Sequence, residues 1–507
     1  MSILSLEFFI SVFAAIILYY CIPKKVQWPF LLLLSLSFLY LNGSVQLMGL
    51  FLGIALVAWG GALWIDHLQP AHKRLGCILA VGLLVGTLFY CRDLQVLNIA
   101  KHLVNGIFKT SMIYVRYDII PLLGISYFML SLIGYVMDVY WGKYAAERNY
   151  FKLLLFAGYF PQMTSGPITR YSEMQAQLFT AHRFDVQKLI LGAERTLWGC
   201  FKKLVLADRA AIFVNAVFDQ PIQPGFVILV GVLLYAFQLY TDFSGCMDIV
   251  IGVSECFQIA LPENFNTPFA SRSFAEFWRR WHMTMGLWFK DYLLYPLLKS
   301  RWFQAMNQWL RKRLGRKYGK KAATCLGLSV LWIVIGLWHG GSTLYIVVSG
   351  MIPGFFLVMG ELLETPLKKL TAALRVNTDC LSWRLFSQLR ILLAMCCSWV
   401  FMRVGEVRLG LKTALSIFTD FSPWIFHNGK LLNYGIDIYD WGILLIGLLI
   451  LVVVGVWHER GIHIREEFQK QNLVFRWLVL LMALLTILIL GIYGPGYDAA
   501  SFIYKEF

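Results

Sequence analysis

Two histidines occupy settings in which an idle ionisable side chain is costly. His339 closes the apolar run from Leu326 to Trp338 and is followed by Gly340 and Gly341. His282 ends the segment Phe277-Trp-Arg-Arg-Trp-His282. In hydrocarbon an ionisable residue is by default a functional candidate. An imidazole titrates near pH 6.5, and a dry environment holds it neutral, the form a general base requires. The chemistry open to such a pair is proton abstraction or proton relay. Trp281 and Trp338 each precede a histidine, and they either wall a passage or fill a core. Gly340 lets the backbone approach a ligand, or else stops or packs a helix.

The elements that must position these residues are membrane helices. The chain has 507 residues, 59% apolar and 15% charged, with a mean hydropathy of +0.64. Soluble domains carry about 25% charged residues. Apolar windows recur near 5–22, 28–42, 46–65, 76–90, 119–137, 224–240, 326–338, 343–361, 388–402, 441–457 and 477–493. A span needs about 17–25 residues, so several of these are tilted, short or re-entrant. The expected fold is all-α: one integral-membrane domain over 1–507, with roughly 11–14 spanning or re-entrant helices around a central funnel or tunnel. The first window lacks a basic leader and a small-residue cleavage site, so it reads as a span.

Phe274, Phe277, Trp278, Trp281, Met285, Trp288, Phe289 and Tyr292 follow helical spacing. They predict one amphipathic helix, too charged to span, lying at an interface. On it Trp278, His282, Met285 and Phe289 form a single line, and Glu276 pairs with Arg280 four residues on. Re-entrant or in-plane helices are expected between about 150 and 208.

The net charge is +16, and nine Lys/Arg with no acid lie between Lys299 and Lys321. Such a run suits an anionic ligand or nucleic acid. In a chain this apolar it reads instead as a cytoplasmic loop under the positive-inside rule, resting on anionic lipid, with no nucleic acid implied. Lys24, Lys25, His72, Lys73, Arg74, Lys143 and Arg148 follow alternate spans and place the N-terminus outside. Continuing that alternation puts the tail 494–507 outside as well. The ten cysteines show neither zinc spacing nor a disulfide framework, and no metal site is expected. Asp138 and Asp242 read as buried, hydrogen-bonded structural groups.

Several blocks, in order over roughly residues 120–345, resemble the membrane-bound O-acyltransferase (MBOAT) family. They are Pro121–Tyr127 through Asp138-Val-Tyr140, Phe160-Pro-Gln162, Gly166-Pro-Ile168 with Arg170-Tyr171, and Tyr240-Thr-Asp-Phe-Ser-Gly245. Leu261–Asn266, Phe274–His282, Trp288–Tyr292 and Gly336–Gly340 complete the set. The likeness is to the bacterial branch that acetylates alginate or D-alanylates teichoic acid. It implies that His339 is the catalytic histidine, deep in a protein-enclosed passage, and that His282 is a second active-site residue. Many eukaryotic relatives carry asparagine at that second position. Trp278, Trp281, Trp338 and Gly340 are then candidates for lining the substrate path.

The resemblance further implies a cytosolic acyl thioester, acetyl-CoA first, as donor substrate and no tightly bound cofactor. The acceptor would be an extracytoplasmic polysaccharide or wall polymer, served by an external partner enzyme. The chain ends Phe502-Ile-Tyr504-Lys-Glu-Phe507, similar to tails in which a tyrosine takes the acyl group and passes it on; Tyr504 is the matching candidate. D-alanyl transfer is the alternative within this chemistry. A proton-coupled transporter or flippase is the alternative outside it, and the chain lacks the matched broken halves of many transporters.

Overall fold

The computed structural model describes residues 3–92, 124–220, 223–340, 342–494 and 497. Helices occupy every apolar window where it is described. Among them Val45–His67, Gly225–Cys256, Arg301–His339, Leu381–Val404, Ile438–Glu459 and Leu473–Leu490 are long and apolar enough to cross a membrane; there are eight such helices among the described residues, with Leu6–Cys21 and Ile125–Tyr140 as shorter apolar ones. The protein is a polytopic all-α membrane protein. Local polar residues set the helix starts. Ser5, Ser44 and Asn472 accept from first-turn backbone N–H groups, and Asp437 with Asp440 closes a capping box.

The chain divides into two compact units. The described residues of 1–200 and 246–262 make the first. Its core holds an aromatic cluster in which Phe8, Phe38 and Phe160 meet at centroid separations of 6.0–6.4 Å. The helices Val186–Cys200 and Gly225–Cys256 approach closely there, since a Cβ on Gly192 would meet the Gly252 carbonyl oxygen at 2.6 Å. Arg195 locks that approach through Asp248 at 3.0 Å. Between 150 and 200 the chain forms three helices, Tyr150–Gly158, Tyr171–Leu178 and Val186–Cys200. Asp138, as expected, is buried in an ion pair, 2.7 Å from Lys143.

The second unit comprises residues 201–245 and 263–495 and contains both candidate histidines. In this unit the sequence expectations need two corrections. The predicted helix through His282 is two short helices, Phe274–Arg280 and Met283–Phe289, broken at Trp281 and His282. The basic run 299–321, expected as a cytoplasmic loop, is itself helical. It folds as a helical hairpin, because the Arg301–His339 helix reverses at Gly315, where φ is 80°. A Cβ on Gly319 would lie 2.5 Å from the Arg311 Cα, so the two arms touch directly. The second arm then continues without a break from 316 to His339. It packs through small residues on the segment that follows: Gly336 meets Gly350 and Ile346, and Gly354 meets Trp332.

Candidate active site

His282 owes its place to a contact that helical periodicity cannot encode. Its backbone is left-handed, with φ 47° and ψ 52°. Residues 264–266 run alongside 280–283 instead. The Asn266 N–H donates to the Arg280 carbonyl at 2.9 Å, and the Met283 N–H donates to the Asn264 carbonyl at 3.0 Å. Phe265 and Trp281 form an antiparallel bridge between them. These bonds take up groups that a continuous helix would have paired internally, so the helix stops and restarts.

Asn264 also sets the chemistry of the ring. Its Oδ1 accepts from the Thr284 N–H at 3.1 Å and from the Thr284 hydroxyl at 2.9 Å, and lies 3.2 Å from His282 Nδ1. The backbone donor identifies the amide oxygen, and an oxygen can only accept. His282 therefore carries its proton on Nδ1 and presents Nε2 as the basic nitrogen. Its ring is buried, edge-on to Phe243 at 4.9 Å. His282 lies between short helices, outside the candidate spans, and burial pushes its pKa down to about 3. The ring is neutral at any physiological pH.

His339 is the last residue of its helix and is buried as well. Trp338 links the two sites. Its indole lies 4.8 Å from the His339 ring and 6.3 Å from the His282 ring, centre to centre. The two imidazoles, 57 residues apart in the chain, thus flank one side chain. From Lys321 to His339 runs about 27 Å of unbroken helix, so no kink raises or lowers the imidazole.

The remaining predicted site residues pack as follows. Trp281 packs in an aromatic core with Phe277, Phe265 and Trp399 at 5.1–5.5 Å. Trp278 lies on Trp332 at 4.6 Å. The face of Gly340 that a Cβ would take is filled by the Tyr345 ring, 2.3 Å from that point. Tyr504 and Gly341 are outside the described residues. Among the described residues no cluster of His, Cys, Asp and Glu has the arrangement of a metal site.

Sequence reasoning missed the buried lysines. The π-helical segment Phe201–Ala207 carries Lys202 and Lys203 inward. Lys203 pairs with Asp242 at 2.7 Å and Asp208 at 2.8 Å, while Lys202 donates to the Ser244 hydroxyl at 2.9 Å. Consecutive residues Asp242, Phe243 and Ser244 therefore hold Lys203, the His282 ring and Lys202. The one available signal is a Lys-Lys pair in apolar surroundings, with acids at Asp208 and Asp242 to match.

Burial of a neutral histidine makes the fold sensitive to acid. The unfolded chain takes up the His282 proton near pH 6.5, well before the folded one does at about 3. The corresponding stability is complete above about pH 6.5 and is lost as pH falls toward 3, by about 2 kcal/mol at pH 5. His282→Asn removes this dependence, and asparagine tolerates the left-handed backbone. Thermal unfolding in detergent at pH 7 and pH 5 should show a smaller acid shift for the variant than for the wild type.

Residues 146–403, just over half the chain and including Asn264, His282, Trp338 and His339, match the MBOAT, membrane-bound O-acyltransferase family. Over 416 residues the chain is 28% identical to a probable alginate O-acetylase, AlgI, of Pseudomonas syringae pv. tomato, covering 80% of this chain and 73% of that one. It is 29% identical to a peptidoglycan O-acetyltransferase of Helicobacter pylori, covering 75% and 72%. A teichoic acid D-alanyltransferase of Bacillus subtilis is 29% identical over 46% of this chain and 57% of its own. With two buried imidazoles set around one indole inside the matched segment, the chain belongs to the membrane-bound O-acyltransferase family and is a multi-pass membrane O-acyltransferase.

Proposed function

We propose that this protein moves an acetyl group from a cytosolic thioester, acetyl-CoA, to a hydroxyl of an extracytoplasmic polysaccharide or cell-wall polymer. The observation that carries the reading is the Trp338-linked pair of histidines, one of them fixed as the Nδ1–H tautomer. His339 is the general base. It takes the proton of the attacking hydroxyl, the Tyr504 phenol where the tail relays the group to the polymer, as that oxygen attacks the thioester carbonyl carbon. The tetrahedral intermediate then expels the thiolate, which recovers that proton from the imidazolium. His282, neutral and basic at Nε2, accepts a hydrogen bond from the acceptor hydroxyl or relays its proton. Trp338 keeps bulk water from both rings and so protects the thioester from hydrolysis.

Acetyl is preferred over D-alanyl because the likeness to the alginate and peptidoglycan O-acetyltransferases extends over far more of the chain than the likeness to the D-alanyltransferase. The basic hairpin faces the cytosol in this reading, both termini lie outside, and Tyr504 receives the acyl group before an external enzyme takes it. Mass spectrometry of the envelope polymers from cells with and without the gene tests the function. Loss of O-acetyl esters supports it, loss of D-alanyl esters selects the second reading, and no change in either rejects both. Tyr504→Phe tests the relay separately. Ester levels should fall by about tenfold or more, as for loss of a nucleophile, and unchanged esters at normal protein level rule the relay out.

A further inference from the structure

The helical hairpin 299–321 plays no part in the chemistry above, yet it exposes both aromatic and basic side chains. Its two arms are in direct contact. Phe303 is buried beside Gly327, and the backbone at Leu310 and Arg311 packs on Gly319. Trp302 and Trp309, seven residues apart and on one helical face, are 64% and 56% exposed, and Tyr318 on the second arm is 68% exposed. Around them Arg301, Arg311, Lys312, Arg313, Arg316, Lys317 and Lys320 are all exposed. Arg313 lies over the Trp309 ring at 5.8 Å. On the helix Ile352–Ala373, Glu364 is paired with Lys368 at 2.7 Å and also feels Lys321.

In water, two exposed indoles gain nothing. At the headgroup layer of a bilayer an indole places its apolar body against acyl chains and its N–H among polar groups. Cations beside it attract anionic lipid within a Debye length. The hairpin is also continuous with a candidate span, which brings it to the membrane surface whatever else it touches. From this combination we infer that residues 299–321 form a docking surface for anionic phospholipid headgroups, with Trp302, Trp309 and Tyr318 inserted between them. The surface is independent of the reading of the active site.

Native mass spectrometry of the full-length protein, from micelles doped with equal phosphatidylglycerol and phosphatidylcholine, tests this. The wild type should retain phosphatidylglycerol preferentially. Combined Lys312→Gln, Arg313→Gln, Arg316→Gln and Lys317→Gln should cut that preference about tenfold or more. Combined Lys369→Gln, Arg384→Gln, Arg408→Gln and Lys412→Gln, four exposed cations elsewhere, should leave it intact. Trp302→Ala with Trp309→Ala should reduce retention of both lipids; thermal unfolding confirms that each variant is folded. An unchanged preference in the hairpin variant overturns the inference, as does an equal loss in the control. Loss of coenzyme A binding with lipid preference intact would assign the surface to a soluble nucleotide and also overturn it.

Discussion

Replacing His339 with alanine should lower acyl transfer by about 10²–10⁴-fold, the usual contribution of a positioned general base. The protein should remain at its normal level in the membrane. His339 is the terminal residue of its helix, which packs closely on the segment that follows at Gly336, Gly350 and Gly354. Truncation leaves those glycine contacts in place. His339→Gln keeps the volume and hydrogen-bonding capacity but cannot take a proton, so it should be as inactive as alanine. His282→Asn is the informative contrast. It retains a polar side chain on a backbone asparagine accepts, and should lose less activity than either His339 variant. Ester content of the polymer and the amount of protein in the membrane are the two readouts. Normal esters at a normal level of His339→Ala would remove this histidine from the base role.

What could be read from the residues alone depended on the range of the forces involved. The spans were legible because bilayer burial needs a run of apolar residues and nothing more; the windows near 46–65 and 441–457 became Val45–His67 and Ile438–Glu459. The Glu276–Arg280 pair, a local helical contact, appears at 2.9 Å. Failures came where a distant segment decided the outcome. The aromatic stripe from Phe274 to Tyr292 is a valid helical pattern. Asn264 overrides it, from 18 positions earlier, by offering its own hydrogen bonds to the backbone at 282–284. The charge of the basic run speaks only to which side of the membrane it lies on, whereas its arginine, lysine, leucine and glutamine all favour helix. Only Gly315 had to depart from it. Burial of Lys202 and Lys203 is hard to read from sequence because lysine is almost never buried unless paired, and of the two acids on Lys203 one, Asp208, is five positions on while the other, Asp242, lies 39 positions away.

Asn264 is the residue whose loss should be felt most in the fold. It is wholly buried, and its one side-chain oxygen serves three donors. Asn264→Leu fills similar volume but strands the Thr284 N–H, the Thr284 hydroxyl and His282 Nδ1–H in an apolar interior. With about 1–3 kcal/mol for each orphaned buried group, partly relieved by relaxation, the variant should lose about 3–5 kcal/mol of stability. Its thermal midpoint should drop, and its activity with it. Asn264→Asp separates structure from chemistry. The carboxylate still accepts all three hydrogen bonds, so the break between the two short helices survives. Its negative charge, now against Nδ1–H, favours the imidazolium and raises the His282 pKa. The acid sensitivity of the fold between pH 6.5 and 5 should therefore shrink relative to wild type. The acidic limb of the activity profile should move upward, because Nε2 becomes protonated within the working range. A purely structural asparagine predicts a different result: Asn264→Asp with a wild-type pH profile and a normal thermal midpoint. The direction of the profile shift thus decides whether Asn264 holds a loop together or holds a tautomer in place for the reaction.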